Sequence, residues 1–219
     1  MQKADESLLR WDVRDFGWRI ELNNKFNDLW IKKYNLNESP KSLIELAQEG
    51  LDTNDSQHHE TGWLKNIDKL IDMLPLGFDP SNYHLLDVGC GSGISTLYFA
   101  DNYKFTSFTG IDFSTELIKI AERNRKTFGS FQKEMQSIHF SVADAKEWKC
   151  SDARQMIYMF NPFGFATARS FLNNNLSILK STGSILALAW DTWIEQLASE
   201  KYHRAIIRNP THKLSIIAF

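Results

Sequence analysis

Residues 85–95 read LLDVGCGSGIS, an apolar run that breaks into a turn with Gly89, Gly91 and Gly93 and then resumes with residues suited to a helix. A strand that turns this sharply into a helix needs backbone conformations that a side chain disfavours, and a missing Cβ also lets a ligand approach the main chain. The segment therefore fixes a β-turn-α unit, and the rest of the chain must supply a sheet for it.

The sequence that follows supplies one. Strands are expected near 84–89, 106–111, 138–142, 155–160 and 184–190, with helices beginning near Ile94, Ser114 and Phe165. Ser114 suits an N-cap with Glu116 in the first turn, and Gly183 suits a helix end. After Trp193, apolar residues at Ile194, Leu197, Ala198, Tyr202 and Ala205 predict one more helix. The closing RAIIR and KLSIIAF segments read as two strands joined at Asn209-Pro210. The fold class is α/β: a Rossmann-like, doubly wound, mostly parallel seven-stranded sheet with a C-terminal antiparallel hairpin.

Ahead of the sheet lies a helical N-terminal extension. Trp11, Phe16, Trp18, Phe26, Trp30 and Tyr34 alternate with polar residues, as in helices that lie on a larger body. Leu43, Leu46 and Ala47 predict a short helix, and DTNDSQHHE an exposed loop. From Thr61, the spacing of Leu64, Ile67, Leu70, Ile71 and Leu74 predicts a helix that stops before Pro75. The expected division is an extension or lid over 1–60 and a ligand-binding domain over 61–219.

Bulk properties narrow the function. A formal net charge of -2 gives no general attraction to polyanions, so nucleic acid is not an expected partner. The basic residues Lys119, Arg123, Arg125 and Lys126 read as a solvated helix face. Charges in MQKADESLLR and the lack of a long apolar run predict a cytoplasmic protein with no membrane partner. Cys90 and Cys150 are expected as reduced thiols, and no metal site is expected.

Three further signals carry chemistry. In FTGIDFS, Asp112 ends the second strand roughly 20 residues after the glycine turn, where a carboxylate can accept hydrogen bonds from both hydroxyls of a ribose. In VADA, Asp144 can accept from an adenine amino group while the Ala145 backbone meets the ring. In MFNPFGF, Asn161, Pro162 and Phe163 end the fourth strand, on the side where open α/β sheets bind ligands. Each also has a plain structural reading as a strand-end carboxylate, a cap or a turn. The glycine spacing departs from the GxGxxG of dinucleotide-binding folds, since Ile94 follows Gly93.

With DVGCGSG, GID and ADA in this order, the sequence resembles the class I S-adenosylmethionine (SAM)-dependent methyltransferases over about residues 57–219. The resemblance implies a methyltransferase in which Asp87, Gly89, Gly91 and Gly93 surround the methionine part of SAM. It further implies that Asp112 and Phe113 meet the ribose side, and Asp144 and Ala145 the adenine. Amino-directed members carry a motif like Asn-Pro-Pro-Tyr; here Phe163 replaces the second proline, so Asn161, Pro162 and Phe163 are candidate substrate contacts only in part matching that motif. The NPF form resembles small bacterial-type members. His58, His59 and Glu60 are the nearest candidates for a general base, and Trp190 and Asp191 can line the acceptor pocket. The expected acceptor is a small molecule. The rival readings are a nicotinamide-dependent oxidoreductase and a non-catalytic module on the same scaffold.

Overall fold

A computed structural model describes residues 16–48, 50, 53–134, 136–200 and 202–219. Seven strands form one sheet: β1 His84–Val88, β2 Ser107–Asp112, β3 Ile138–Val142, β4 Gln155–Phe160, β5 Ile185–Ala189, β6 Ala205–Asn209 and β7 Leu214–Ala218. Their order is β3-β2-β1-β4-β5-β7-β6. The first five pair in parallel, whereas β7 pairs antiparallel with both β5 and β6. The expected mostly parallel sheet with a C-terminal antiparallel hairpin is thus observed.

The central strands are apolar because both faces are covered, which is how parallel sheets avoid exposing either side. β4 is buried at every position but its last, and β5 at every position. Alternation sends successive residues to opposite faces. Leu85, Met156 and Tyr158 join a core on one side, while Leu86, Ile157 and Met159 join a second core on the other. Each such fully buried large side chain contributes about 1.5–3 kcal/mol through apolar burial.

Helices α1 Phe16–Lys33, α2 Leu43–Gln48, α3 Leu64–Asp72, α4 Ile94–Asn102, α5 Thr115–Gly129, α6 Phe165–Thr182 and α7 Ile194–Ser199 complete the fold. The Ser114 side chain accepts from the Leu117 N–H at 3.2 Å and so caps α5, and Gly183 ends α6 with φ 63°. α7 is shorter than its apolar pattern predicts. Ala205 opens β6 instead, because the hairpin's pairing with β7 claims that residue.

Trp11 and the rest of the expected extension before Phe16 lie outside the described residues. The part within them is joined to the core. Trp30, Ile31 and Tyr34 are buried in the first core. Trp30 Nε1 and the Tyr34 hydroxyl both donate to Asp101 on α4, at 3.0 and 2.7 Å. Asn27 caps α3, its Oδ1 accepting from Leu64 N–H at 3.0 Å while its Nδ2 donates to the Gly62 carbonyl at 3.0 Å.

The DTNDSQHHE segment is only partly the exposed loop its composition predicts. Asn54, Gln57, His58 and Glu60 are exposed, but Asp55 and His59 are half-buried. The Asp55 carboxylate accepts from Thr167 N–H at 2.8 Å and its carbonyl from Gly164 N–H at 2.8 Å, so it caps α6 from more than a hundred residues away. Polar composition marked the segment as a loop; the cost of leaving the first amides of α6 unpaired explains why it is held down.

Candidate active site

β1 and β4 are neighbours although β2 and β3 lie between them in sequence, so the chain order reverses across this pair. At such a switch point the loops leaving the two strands part, and a crevice opens at their C-terminal ends. Here it is a cavity of about 900 Å³, within the range of small-ligand pockets.

The turn after β1 forms one edge. Gly89, Gly91 and Gly93 all have positive φ, at 78°, 53° and 80°. The turn is tied to β2, with the N–H groups of Gly89 and Cys90 both donating to the Ile111 carbonyl. Asp112 stands beside it, only 7% exposed. Its Oδ2 accepts from Gly91 N–H at 3.0 Å and its Oδ1 from Ser114 N–H at 2.9 Å. Two fixed donors orient the carboxylate at the edge of the cavity.

Of the residues singled out from the sequence, Gly89, Asp112, Phe113, Asp144, Ala145, Asn161, Pro162 and Phe163 line this one cavity. Asp144 is exposed and closes a turn, its Oδ1 accepting from Lys146 N–H at 2.8 Å, with the Lys146 ammonium 3.6 Å from Oδ2. Pro162 packs against Gly89, where a Cβ would strike its ring. Asn161 has φ 40° and Trp190 φ 63° at the ends of β4 and β5. Two left-handed non-glycine residues at adjacent strand ends concentrate strain at the pocket, as functional sites often do. The Asn161 Oδ1 accepts from the Thr192 hydroxyl at 3.0 Å.

Asp87, Gly91 and Gly93 do not wall the cavity. Gly91 is covered by the His59 ring, and Gly93 backs onto Phe140. Asp87 is buried beneath the turn, where it accepts from the Thr96 hydroxyl at 2.6 Å. Burial pushes its carboxyl up to about 7, and burial likewise raises the Cys90 thiol. His59 is held below the usual imidazole range, mainly by burial, and its Nε2 lies 3.3 Å from the Glu38 carbonyl. Asp191 turns away from the acceptor side to bind Ser215 and Arg208 on the terminal hairpin, whereas Trp190 lines the cavity.

Sequence reasoning missed the far wall, which comes from Ile20 and Asn24 on α1 and from Trp63 and Asn66 at the start of α3. Trp63 Nε1 donates to Asn24 Oδ1 at 3.1 Å and binds the two elements together. The aromatic spacing of the extension was the available signal, but it gives no direction in space.

The cavity suits an adenosyl ligand. A buried, oriented carboxylate stands at one strand end, and Val88, Ile111, Val142 and Ala145 give apolar walls for a flat base. Residues 85–183 match a family described as a methyltransferase domain. Among solved structures, the chain is similar to a ribosomal protein L11 methylase from Lactobacillus delbrueckii subsp. bulgaricus, at 16% identity over 73% of this chain and 78% of that one, with TM-score 0.49. It is also similar to an RNA methyltransferase from Salinibacter ruber in complex with S-adenosyl-L-homocysteine, at 16% identity over 73% and 92%, with TM-score 0.47. A third is a tRNA (uracil-54, C5)-methyltransferase from Pyrococcus abyssi in complex with the same compound, at 15% identity over 77% and 40%, with TM-score 0.47. None of the curated proteins matches the chain. Residues 85–183 thus carry a methyltransferase domain, and through it the chain is an enzyme that uses SAM.

Proposed function

We propose that this enzyme transfers the methyl group of SAM to a small molecule. The observation that carries the reading is the continuity of the cavity: the same space runs from Asp112 and Asp144 to Asn161, Trp63 and Trp190, beneath a roof made by residues 54–61. A bound cofactor and a small acceptor share it; a nucleic acid duplex would have to displace the roof.

SAM brings an electrophilic methyl carbon, so the protein's task is to hold a nucleophile close, aligned and shielded from water. In this reading Asp112 accepts from the ribose hydroxyls, with Phe113 beside it. Asp144 and Ala145 meet the adenine. The glycine turn, with Gly89 against Pro162, borders the methionine end, while Asp87, Gly91 and Gly93 support the turn from behind. Asn161, Pro162 and Phe163 border the acceptor. Residues 61–219 form the catalytic domain and 1–60 its extension, of which residues 54–60 roof the cavity. Among the described residues no helix is long and apolar enough to cross a membrane, and a cytoplasmic setting suits the use of SAM. Amide NMR with added S-adenosyl-L-homocysteine tests the assignment. Shifts should concentrate at Gly89–Ser92, Asp112–Ser114 and Asp144–Lys146; shifts confined elsewhere refute it.

A further inference from the structure

Asn66 on α3 stands apart from the rest of the far wall. It lines the cavity, is only 3% exposed, and its Oδ1 accepts from the Lys69 ammonium at 3.3 Å. An ammonium only donates, so this contact fixes which arm of the amide is the oxygen. The other arm is Nδ2, and among the described residues no group accepts from it. A donor so little exposed is favoured by a ligand that brings an acceptor to it.

The surroundings of Lys69 are positive. Burial, with Lys65 and Arg19 nearby, outweighs Asp68 and pushes the Lys69 ammonium down to about 8. His212, in the turn between β6 and β7, is pushed down to about 4 by burial and by the same Lys69 and Arg19. Arg19 on α1 is buried, next to the cavity-lining Ile20. Asp68 is already engaged: it accepts from Lys65 at 2.7 Å and from the hydroxyls of Tyr98 and Tyr103 at 3.0 and 2.8 Å. The field at Asn66 therefore favours an anion.

We infer that the methyl acceptor is a monocarboxylic acid with an apolar body, that Asn66 Nδ2 binds its carboxylate, and that Lys69 positions Asn66. The inference rests on the methyltransferase reading and names its substrate class. A carboxylate is acceptor-only and singly charged, which matches one amide donor backed by one ammonium. A doubly charged phosphate loses more hydration on entry, and the neighbouring walls are Ile20, Trp63, Phe160 and Trp190, which return little of it. Those same walls suit the apolar body. The carboxylate is an anchor: it sits on the far wall, away from the strand ends that carry Gly89 and Asp112. Lys69 holds the amide by its oxygen, so the ammonium both aims Nδ2 and strengthens it as a donor.

The test uses the full chain saturated with S-adenosyl-L-homocysteine and three probes of one shape: 3-phenylpropionate, 3-phenylpropanamide and 2-phenylethylphosphonate. The acid should bind at least tenfold tighter than the amide or the phosphonate, about 1.4 kcal/mol, and should move the side-chain amide resonances of Asn66. Asn66→Asp keeps the shape, removes the donor and adds a negative charge, so it should reverse the preference for acid over amide. Lys69→Gln should lower that preference, and Lys69→Arg should restore part of it, which a purely structural lysine would not do. Calorimetric affinity for S-adenosyl-L-homocysteine should stay within about twofold in all three variants, since a few tenths of a kcal/mol spans that range. Four results overturn the inference while leaving the methyltransferase reading in place: no saturable binding of the acid, equal binding of acid and amide, tighter binding of the phosphonate, or an acid preference that survives Asn66→Asp. Should a variant fail to fold, an unmoved Asn66 resonance in the unaltered chain overturns it equally. Failure of the unaltered chain to bind S-adenosyl-L-homocysteine overturns both.

Discussion

Asp112 and Gly91 hold one another: the carboxylate at the tip of β2 accepts the backbone N–H of the turn after β1 at 3.0 Å. One side chain therefore both orders the turn and lines the cavity. Asp112→Ala should weaken S-adenosyl-L-homocysteine binding at least tenfold. It should also lower stability by roughly 1–3 kcal/mol, because the amides of Gly91 and Ser114 lose their acceptor. Asp112→Asn should fall between. Calorimetry and urea unfolding of the same samples measure the two effects, and unchanged affinity would remove Asp112 from the site.

Gly91 has φ 53° and lies directly under the His59 ring. Gly91→Ala should destabilise the fold through backbone strain of about 1 kcal/mol or more and through the clash with the imidazole. His59→Ala should relieve the second part and not the first. The pair should therefore be non-additive in urea unfolding, with the double variant more stable than the sum of the singles requires. Strict additivity would mean that the ring does not pack on the turn.

Asp87 gives a pH signature. Burial raises its carboxyl to about 7 in the folded protein, against about 3.9 in an unfolded chain. The native state therefore binds the extra proton between these values, and stability falls as the pH rises across them. The contribution is complete below about pH 4 and lost once the pH passes about 7. Asp87→Asn removes the titration. The stability of the unaltered protein relative to Asp87→Asn should fall through that window and level off above it. A relative stability that is independent of pH would contradict the placement of the carboxyl.

Asp55 fastens the roof by capping α6 through Thr167 and Gly164. Asp55→Ala should cost about 0.5–2 kcal/mol, the usual loss for a cap. It should also speed proteolysis within residues 53–61 in the absence of cofactor. Asp55→Asn, which keeps an acceptor oxygen, should show less of both. Equal cleavage rates in all three proteins would separate the cap from the roof.

Much of this architecture could be read locally. The strands announce themselves as short apolar runs, Ser114 and Gly183 mark helix ends, and the order of β1, β2 and β3 with their acids survives intact in space. Gly89, Asp112, Asp144 and Asn161 come to one cavity because strand tips at a switch point must converge. What the sequence did not carry was contact between distant segments. Nothing near Asp55 announces a helix that starts at Phe165, nor anything near Trp30 a partner at Asp101. Asp87 reads like its neighbouring acids, but its strand position sends it under the turn to Thr96. The aromatic extension read as a covering layer; that Trp30 and Tyr34 enter the core depends on which face of α1 meets α4.

The central claim is that the cavity beside Asp112 binds an adenosyl ligand of the methyltransferase type. Parallel calorimetric titrations with S-adenosyl-L-homocysteine and NADH test it most directly. Saturable binding of the first at one per chain, lost in Asp112→Ala, with no heat from NADH, is the result expected. Binding of NADH without S-adenosyl-L-homocysteine, or of neither, would contradict it.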